Sequence, residues 1–187
     1  MNPSPEFPGF SAPAAGPEAP LDMLGACHTR VEKQCRTLER LLPHLAQRGC
    51  DRDAREAAQA VMRYFDTAAV HHHADEEQDL FPALQDAMAG SDALCIRDLC
   101  DSLRREHRKL EQRWQQLRLP LQAIAEGASA ELAPEAVSAF TAAYREHIAR
   151  EDGELIPMAR RLLQDSALGQ IGRAMALRRG LKGPPQG

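Results

Sequence analysis

The sequence predicts an all-α fold: an up-down-up-down four-helix bundle, preceded by a Pro-rich leader and followed by a short fifth helix. Three observations carry this. Aromatic residues make up only 4% of the 187 residues, Ala and Leu abound and β-branched residues are few, a composition that favours helix. Apolar residues recur at alternating spacings of three and four along four long stretches, the period of a helix with one buried face. The connections between those stretches are short, and helices joined by short connections pack as antiparallel neighbours.

Residues 1–20 hold Pro3, Pro5, Pro8, Pro13, Pro17 and Pro20 among Gly and Ala. Such a segment builds no packed core and is expected to be disordered or extended. The first helix is expected over residues 21–47, with Leu24, His28, Val31, Cys35, Leu38, Leu42 and Leu45 on its inner face and Gly49 ending it. The second begins near Asp51 and carries Val61, Phe65, Ala68, His72 and Glu76 inward. Pro82 is expected to kink it before it ends at Met88 and Gly90. Ser91 or Asp92 caps the third helix, whose stripe is Leu99, Leu103, His107, Leu110, Trp114, Leu117, Leu121 and Ile124, ending near Gly127. The fourth opens at Pro134, a favourable first-turn residue. It carries Val137, Phe140, Tyr144, His147, Glu151 and Leu155 and ends by Gln164. A short helix over residues 167–179 folds back on the bundle, and the tail beyond Gly180 frays. The domain division is thus leader 1–20, bundle 21–165, and helix with tail 166–187.

A motif is written twice across these helices. Residues 72–82 read HHADEEQDLFP and residues 147–157 read HIAREDGELIP. Residues four apart on a helix share a face, so His72 with Glu76, and His147 with Glu151, each aim an imidazole and a carboxylate at one point. His28 on the first helix and His107 on the third occupy matching places in this internal repeat. All four histidines stand where the apolar stripe asks for Leu. A buried imidazole without a partner costs about 1–3 kcal/mol, and four in one layer are too expensive against a total stability of roughly 5–15 kcal/mol. A bound cation offsets that cost. Imidazole and carboxylate without thiolate suit iron, manganese or zinc. Two carboxylates from opposite helices can each bridge two ions, so the expected centre is dinuclear, with His28, His72, Glu76, His107, His147 and Glu151 as ligands.

Other residues border this set. Glu32 and Glu111 follow His28 and His107 by four and stand as further ligands, as hydrogen-bond acceptors for the ring nitrogens, or as surface partners of neighbouring Arg and Lys. His73 and Glu77 are additional candidates beside the motif residues, although His71 and His73 flank the stripe and are expected in solvent or behind the ligands. His44 is expected in solvent, Tyr64 and Tyr144 in the core, and Trp114 as apolar bulk above the site.

The doubled motif, with a single His on each of the first and third helices, resembles the hemerythrin-like proteins, or HHE cation-binding domains. The resemblance covers residues 21–163. It implies a four-helix bundle around two non-haem iron ions, held by the six residues above with Glu76 and Glu151 bridging. Oxygen-carrying members use five histidines, two of them four apart on the third helix; here Glu111 stands where the fifth would be. Ferritin-like di-iron proteins place Glu three residues before His, and Gly25, Ala69, Arg104 and Tyr144 occupy those places here.

The expected function is binding rather than catalysis: a di-iron protein that binds or senses O2 or NO, or handles iron. The alternatives are a di-iron oxidase or peroxide- or NO-consuming enzyme, and a zinc-bound structural bundle. The net charge of −4 implies no nucleic-acid partner. No apolar run is long enough to span a membrane, and nothing at the N-terminus reads as a signal peptide. Five cysteines, an odd number without C-x-x-C spacing, imply reduced thiols and a cytoplasmic setting. A monomer and a homodimer both fit the chain.

Overall fold

The computed structural model describes residues 16–87 and 92–181. The leader up to residue 15, the expected stop at Met88 and Gly90, the cap at Ser91 and the tail from residue 182 lie outside the described residues, as does the side chain of Asp92. Helix is the only regular structure among the described residues. We number five helices: α1 (Pro20–Arg48), α2 (residues 52–86), α3 (Asp92–Glu126), α4 (residues 134–162) and α5 (Asp165–Arg178).

Local chemistry sets the helix ends. Pro20 and Pro134 open α1 and α4 in the first turn, where a missing N–H costs nothing. Asp51 caps α2 by accepting from the Ala54 N–H at 2.9 Å. Gly49 and Gly127 follow α1 and α3 with φ of 65° and 77°, a left-handed conformation that disfavours a side chain.

α2 and α4 contain wide π turns that the apolar spacing did not predict. In α2 they cover Tyr64–Ala68 and Glu76–Leu80; in α4 one covers Glu151–Leu155. The Phe81 N–H bonds the Glu76 carbonyl, and the Ile156 N–H bonds the Glu151 carbonyl, five residues back in each case. Each motif proline, Pro82 or Pro157, stands two residues beyond its turn. A proline ring collides with the carbonyl four residues back in a regular helix, and the wide turn relieves that crowding. Helix therefore continues through Pro82 to Asp86. The turn at Tyr64–Ala68 also inserts a residue and moves the inner face on by one position. Ala69 is buried where Ala68 was expected.

The helices pack in a closed order: α1 on α2, α2 on α3, α3 on α4, and α4 on α1. Two apolar clusters fill the interior. One joins Val31, Leu38, Phe65, Trp114, Leu117 and Phe140. The other joins Leu24, Leu80, Phe81, Leu103, Leu155 and Met175, the last from α5. Between them lies a layer of buried polar side chains. Its sequence neighbours belong to the clusters on either side: Leu24 and Val31 around His28, Leu103 and Leu110 around His107.

α5 rests on α1 and α2. Arg178 and Arg179 both pair with Asp75, which is fully buried on α2, Arg179 Nη2 lying 2.5 Å from Asp75 Oδ2. Arg178 also reaches Asp79 at 2.7 Å. This clamp closes on the turn of α2 between His72 and Glu76.

Candidate metal centre

The polar layer brings together His28 from α1, His72, His73 and Glu76 from α2, His107 from α3, and His147 and Glu151 from α4. Their donor atoms form three groups, within each of which all atoms lie within 4.8 Å of one another: His28, His72, Glu76 and Glu151; Glu76, Glu151, His107 and His147; and His73, His107 and His147. Glu76 and Glu151 are wholly buried and belong to both of the first two groups. Glu151 lies 3.1 Å from His28 Nε2, 2.9 Å from His147 Nε2 and 3.6 Å from His107 Nε2. Glu76 lies 3.5 Å from His72 Nε2 and 3.3 Å from His107 Nε2.

These contacts do not satisfy the groups as hydrogen bonds. Both oxygens of Glu76 and of Glu151, with Nε2 of His28 and His73 and Nδ1 of His72, are buried without a hydrogen-bond partner. Native interiors tolerate few such atoms, and each calls for an explanation. The outer nitrogens of three rings explain the inner ones. His28 Nδ1 donates to Asp152 at 2.7 Å, His107 Nδ1 to Glu77 at 2.7 Å, and His147 Nδ1 to Glu106 at 3.0 Å. A neutral ring that donates from Nδ1 presents a lone pair at Nε2. The Nε2 atoms of His107 and His147 are only 3.1 Å apart. Two lone pairs at that distance require a shared proton or a cation. The donor set fits a cation: carboxylates behind the imidazoles fix tautomer and raise basicity, as they do for metal-binding histidines.

Protonation in the absence of a cation follows the same charges. Burial opposes charging His28 and His107, but contact with Glu151 and Glu76 outweighs it and lifts them to about 9 and about 10. His147 is raised as well, against burial, by Glu151. Burial keeps His72 neutral, at about 3, and His73 well below the usual range. Burial and the charge of Glu151 push Glu76 up to about 7. Glu151 is held well below the carboxylate range: burial works to raise it, and His147, His107 and His28 prevail.

His73 departs from its expected place in solvent or behind the ligands. Its ring stacks on His107, centroids 4.0 Å apart and planes at 14°. The residue inserted by the Tyr64–Ala68 turn brings both neighbours inside, His72 toward α1 and His73 toward α3. Glu77 lies outside the converging donors and serves as the acceptor for His107. Glu32 is half exposed and pairs with Arg36 at 3.1 Å. Glu111 is exposed in the wall of a groove between α2 and α3, apart from the converging donors. Trp114 is buried and donates to Asp66 at 2.9 Å, and Tyr64 donates to the Cys27 carbonyl at 3.1 Å. His44 lies off the site, paired with Asp51 at 2.8 Å. Sequence reasoning passed over Asp152 and Glu106, each beside a ligand candidate; the available signals were the acidic letter after Glu151 and the one before His107.

Comparison with known proteins agrees with this geometry. The family described as hemerythrin HHE cation binding domain matches residues 19–159. This chain belongs to that family. A relative from Haemophilus influenzae (strain ATCC 51907 / DSM 11121 / KW20 / Rd), an uncharacterized protein, is 31% identical over 163 residues, spanning 87% of this chain and 91% of its own. Cation binding by a buried His and Glu cluster is therefore the property that sequence, fold and family share. No helix among the described residues is long and apolar enough to cross a membrane.

Proposed function

We propose that this HHE-domain protein holds two iron ions in the polar layer and uses them to bind a diatomic ligand, O2 or NO, as a carrier or sensor rather than as an enzyme. The observation that carries this reading is the sharing of Glu76 and Glu151 between two donor groups. His28 and His72 would hold one ion and His73, His107 and His147 the second, with Glu76 and Glu151 common to the two donor groups. A fifth imidazole thus comes from α2, in place of the third-helix position that Glu111 occupies. When bound, the ions supply a redox couple and a Lewis-acidic position for the ligand. The chain's own residues hold the geometry: Asp152, Glu77 and Glu106 orient the rings, and the two apolar clusters exclude water. The closed order of helix contacts supports the up-down-up-down arrangement of α1 to α4. We place the protein in a reducing, cytoplasmic setting, which its five unpaired cysteines suit.

Anaerobic iron loading tests this reading. The expected result is close to two iron ions per chain by elemental analysis, with spectra that change on admitting air, and again with NO. Uptake near zero, or of zinc alone in the presence of ferrous iron, overturns it.

A further inference from the structure

The groove between α2 and α3 encloses about 710 Å3 and ends on the rings of His73 and His107. That volume lies within the range of small-molecule sites, roughly 300–1,000 Å3. Its floor is apolar, with Phe65, Trp114 and Tyr144 buried beneath it. Its inner charged groups are already engaged: Asp66 is held by Trp114 and by Arg118 at 3.0 Å, and Glu77 by His107. Exposed Arg108, Glu111 and Gln115 also line it, and a ligand of two or three atoms is small enough to pass between them.

His73 differs from the other imidazoles in two respects. Carboxylates pin His28, His107 and His147 through Nδ1, and His72 is enclosed on all sides. His73 has an unpartnered, buried Nε2 on the inside, while its partly exposed ring borders the groove. It is held by ring contacts, stacked closely on His107 and more distantly on Tyr144 with His147 edge-on, and by no carboxylate. Taking the centre as proposed above, we infer that His73 is its exchangeable ligand and that the α2–α3 groove is the path by which a small anion or diatomic reaches it. The exchange is a simple substitution. The Nε2 lone pair would give up its place to that of the entering ligand, and with azide on cobalt(II) no proton or electron need move.

The test uses cobalt(II), which suits imidazole and carboxylate whatever the native ion, and azide as the entering ligand, followed by visible absorption in a stopped-flow mixer. His73→Ala should retain close to two cobalt ions per chain and bind azide about tenfold more tightly, because nothing must be displaced. Val70→Trp, at an exposed position in the groove wall, should slow azide entry severalfold with cobalt content and final affinity unchanged. Leu94→Trp, exposed elsewhere on α3, should leave the rate as it is. Loss of one cobalt from His73→Ala makes His73 a fixed ligand and overturns the inference. So does azide entry that is indifferent to Val70→Trp. Either result leaves the two-ion centre standing, whereas failure of the parent protein to take up cobalt removes both.

Discussion

Residues 72–82 of α2 and 147–157 of α4 share a spacing and a shape, yet their differing letters do different work. In both, the imidazole and the carboxylate four residues later point into the layer, a π turn opens at the carboxylate, and proline follows the turn. After the histidine, α2 has His73, which enters the site; α4 has Ile148, which packs against the apolar cluster. Three residues after the histidine, α2 has Asp75, clamped by α5. At that place α4 has Arg150, which pairs with Glu106 behind His147. His72 Nδ1 has no acceptor, while His147 Nδ1 has Glu106. The shared letters place two buried carboxylates, Glu76 and Glu151, in both donor groups. The differing letters place His73 beside the carboxylate-supported rings of His107 and His147 on the side that borders the groove, and leave His72 on the other side without an acceptor. A repeat in sequence therefore marks the frame that the donor groups share, and its departures mark where those groups differ.

The largest expected effect comes from removing one bridge. Glu151 approaches four imidazoles, His28, His72, His107 and His147, whereas Glu76 approaches two. Glu151→Ala should abolish binding at both positions and leave the metal-binding histidines mutually repulsive. Glu76→Ala should retain about one ion. Elemental analysis after iron loading compares them, and equal losses would mean that the bridges are equivalent despite their surroundings.

A smaller effect separates the acceptors behind the rings. Outer carboxylates of this kind typically change metal affinity about 10–100-fold. Glu77→Gln weakens the support of His107, and Asp152→Asn that of His28. Each should lower affinity within that range while keeping the stoichiometry. Competition with a chelator of known strength measures it. An unchanged affinity in Asp152→Asn would assign that residue, 54% exposed, to the surface alone.

How much of this was legible beforehand depends on what periodicity can encode. The inner histidines and glutamates were legible because a four-residue spacing on a helix fixes a common face. Leader, tail and the α2–α3 connection aside, the helices lie close to where capping residues and glycines put them. His73 was legible only as an additional candidate beside the motif, because the inserted residue of the Tyr64–Ala68 turn that brings it inward follows from no spacing rule. Asp75 was hidden for a different reason. Its partners, Arg178 and Arg179, lie about a hundred residues on, and only packing of α5 on α2 joins them. Glu32 and Glu111 share that four-residue spacing after His28 and His107, and Glu111 also a family position, yet both lie outside the converging donors: spacing gives a face but not how far round the helix a side chain reaches.

The smallest effect is a difference in slope with pH. In the metal-free protein the imidazoles titrate oppositely: His72 lies at about 3, and His28 and His107 at about 9 and about 10. A folded-state pKa above the unfolded value of about 6.5 stabilises fully below 6.5 and is lost as pH rises through the folded pKa. His28 and His107 therefore make the metal-free protein progressively less stable between pH 7 and 9. His72 acts on the other side: its depressed value withdraws stability as pH falls below 6.5, so it contributes no slope in that window. Cys35, raised to about 12 by burial, adds its own loss only above about pH 9, near the ordinary thiol range, which sets the upper limit of the measurement. A bound cation replaces the protons on His28 and His107, so the loaded protein should show a flatter profile. Thermal melts at pH 7, 8 and 9, with chelator and with metal, should thus diverge as pH rises. Parallel curves would mean that His28 and His107 carry no proton for the metal to displace.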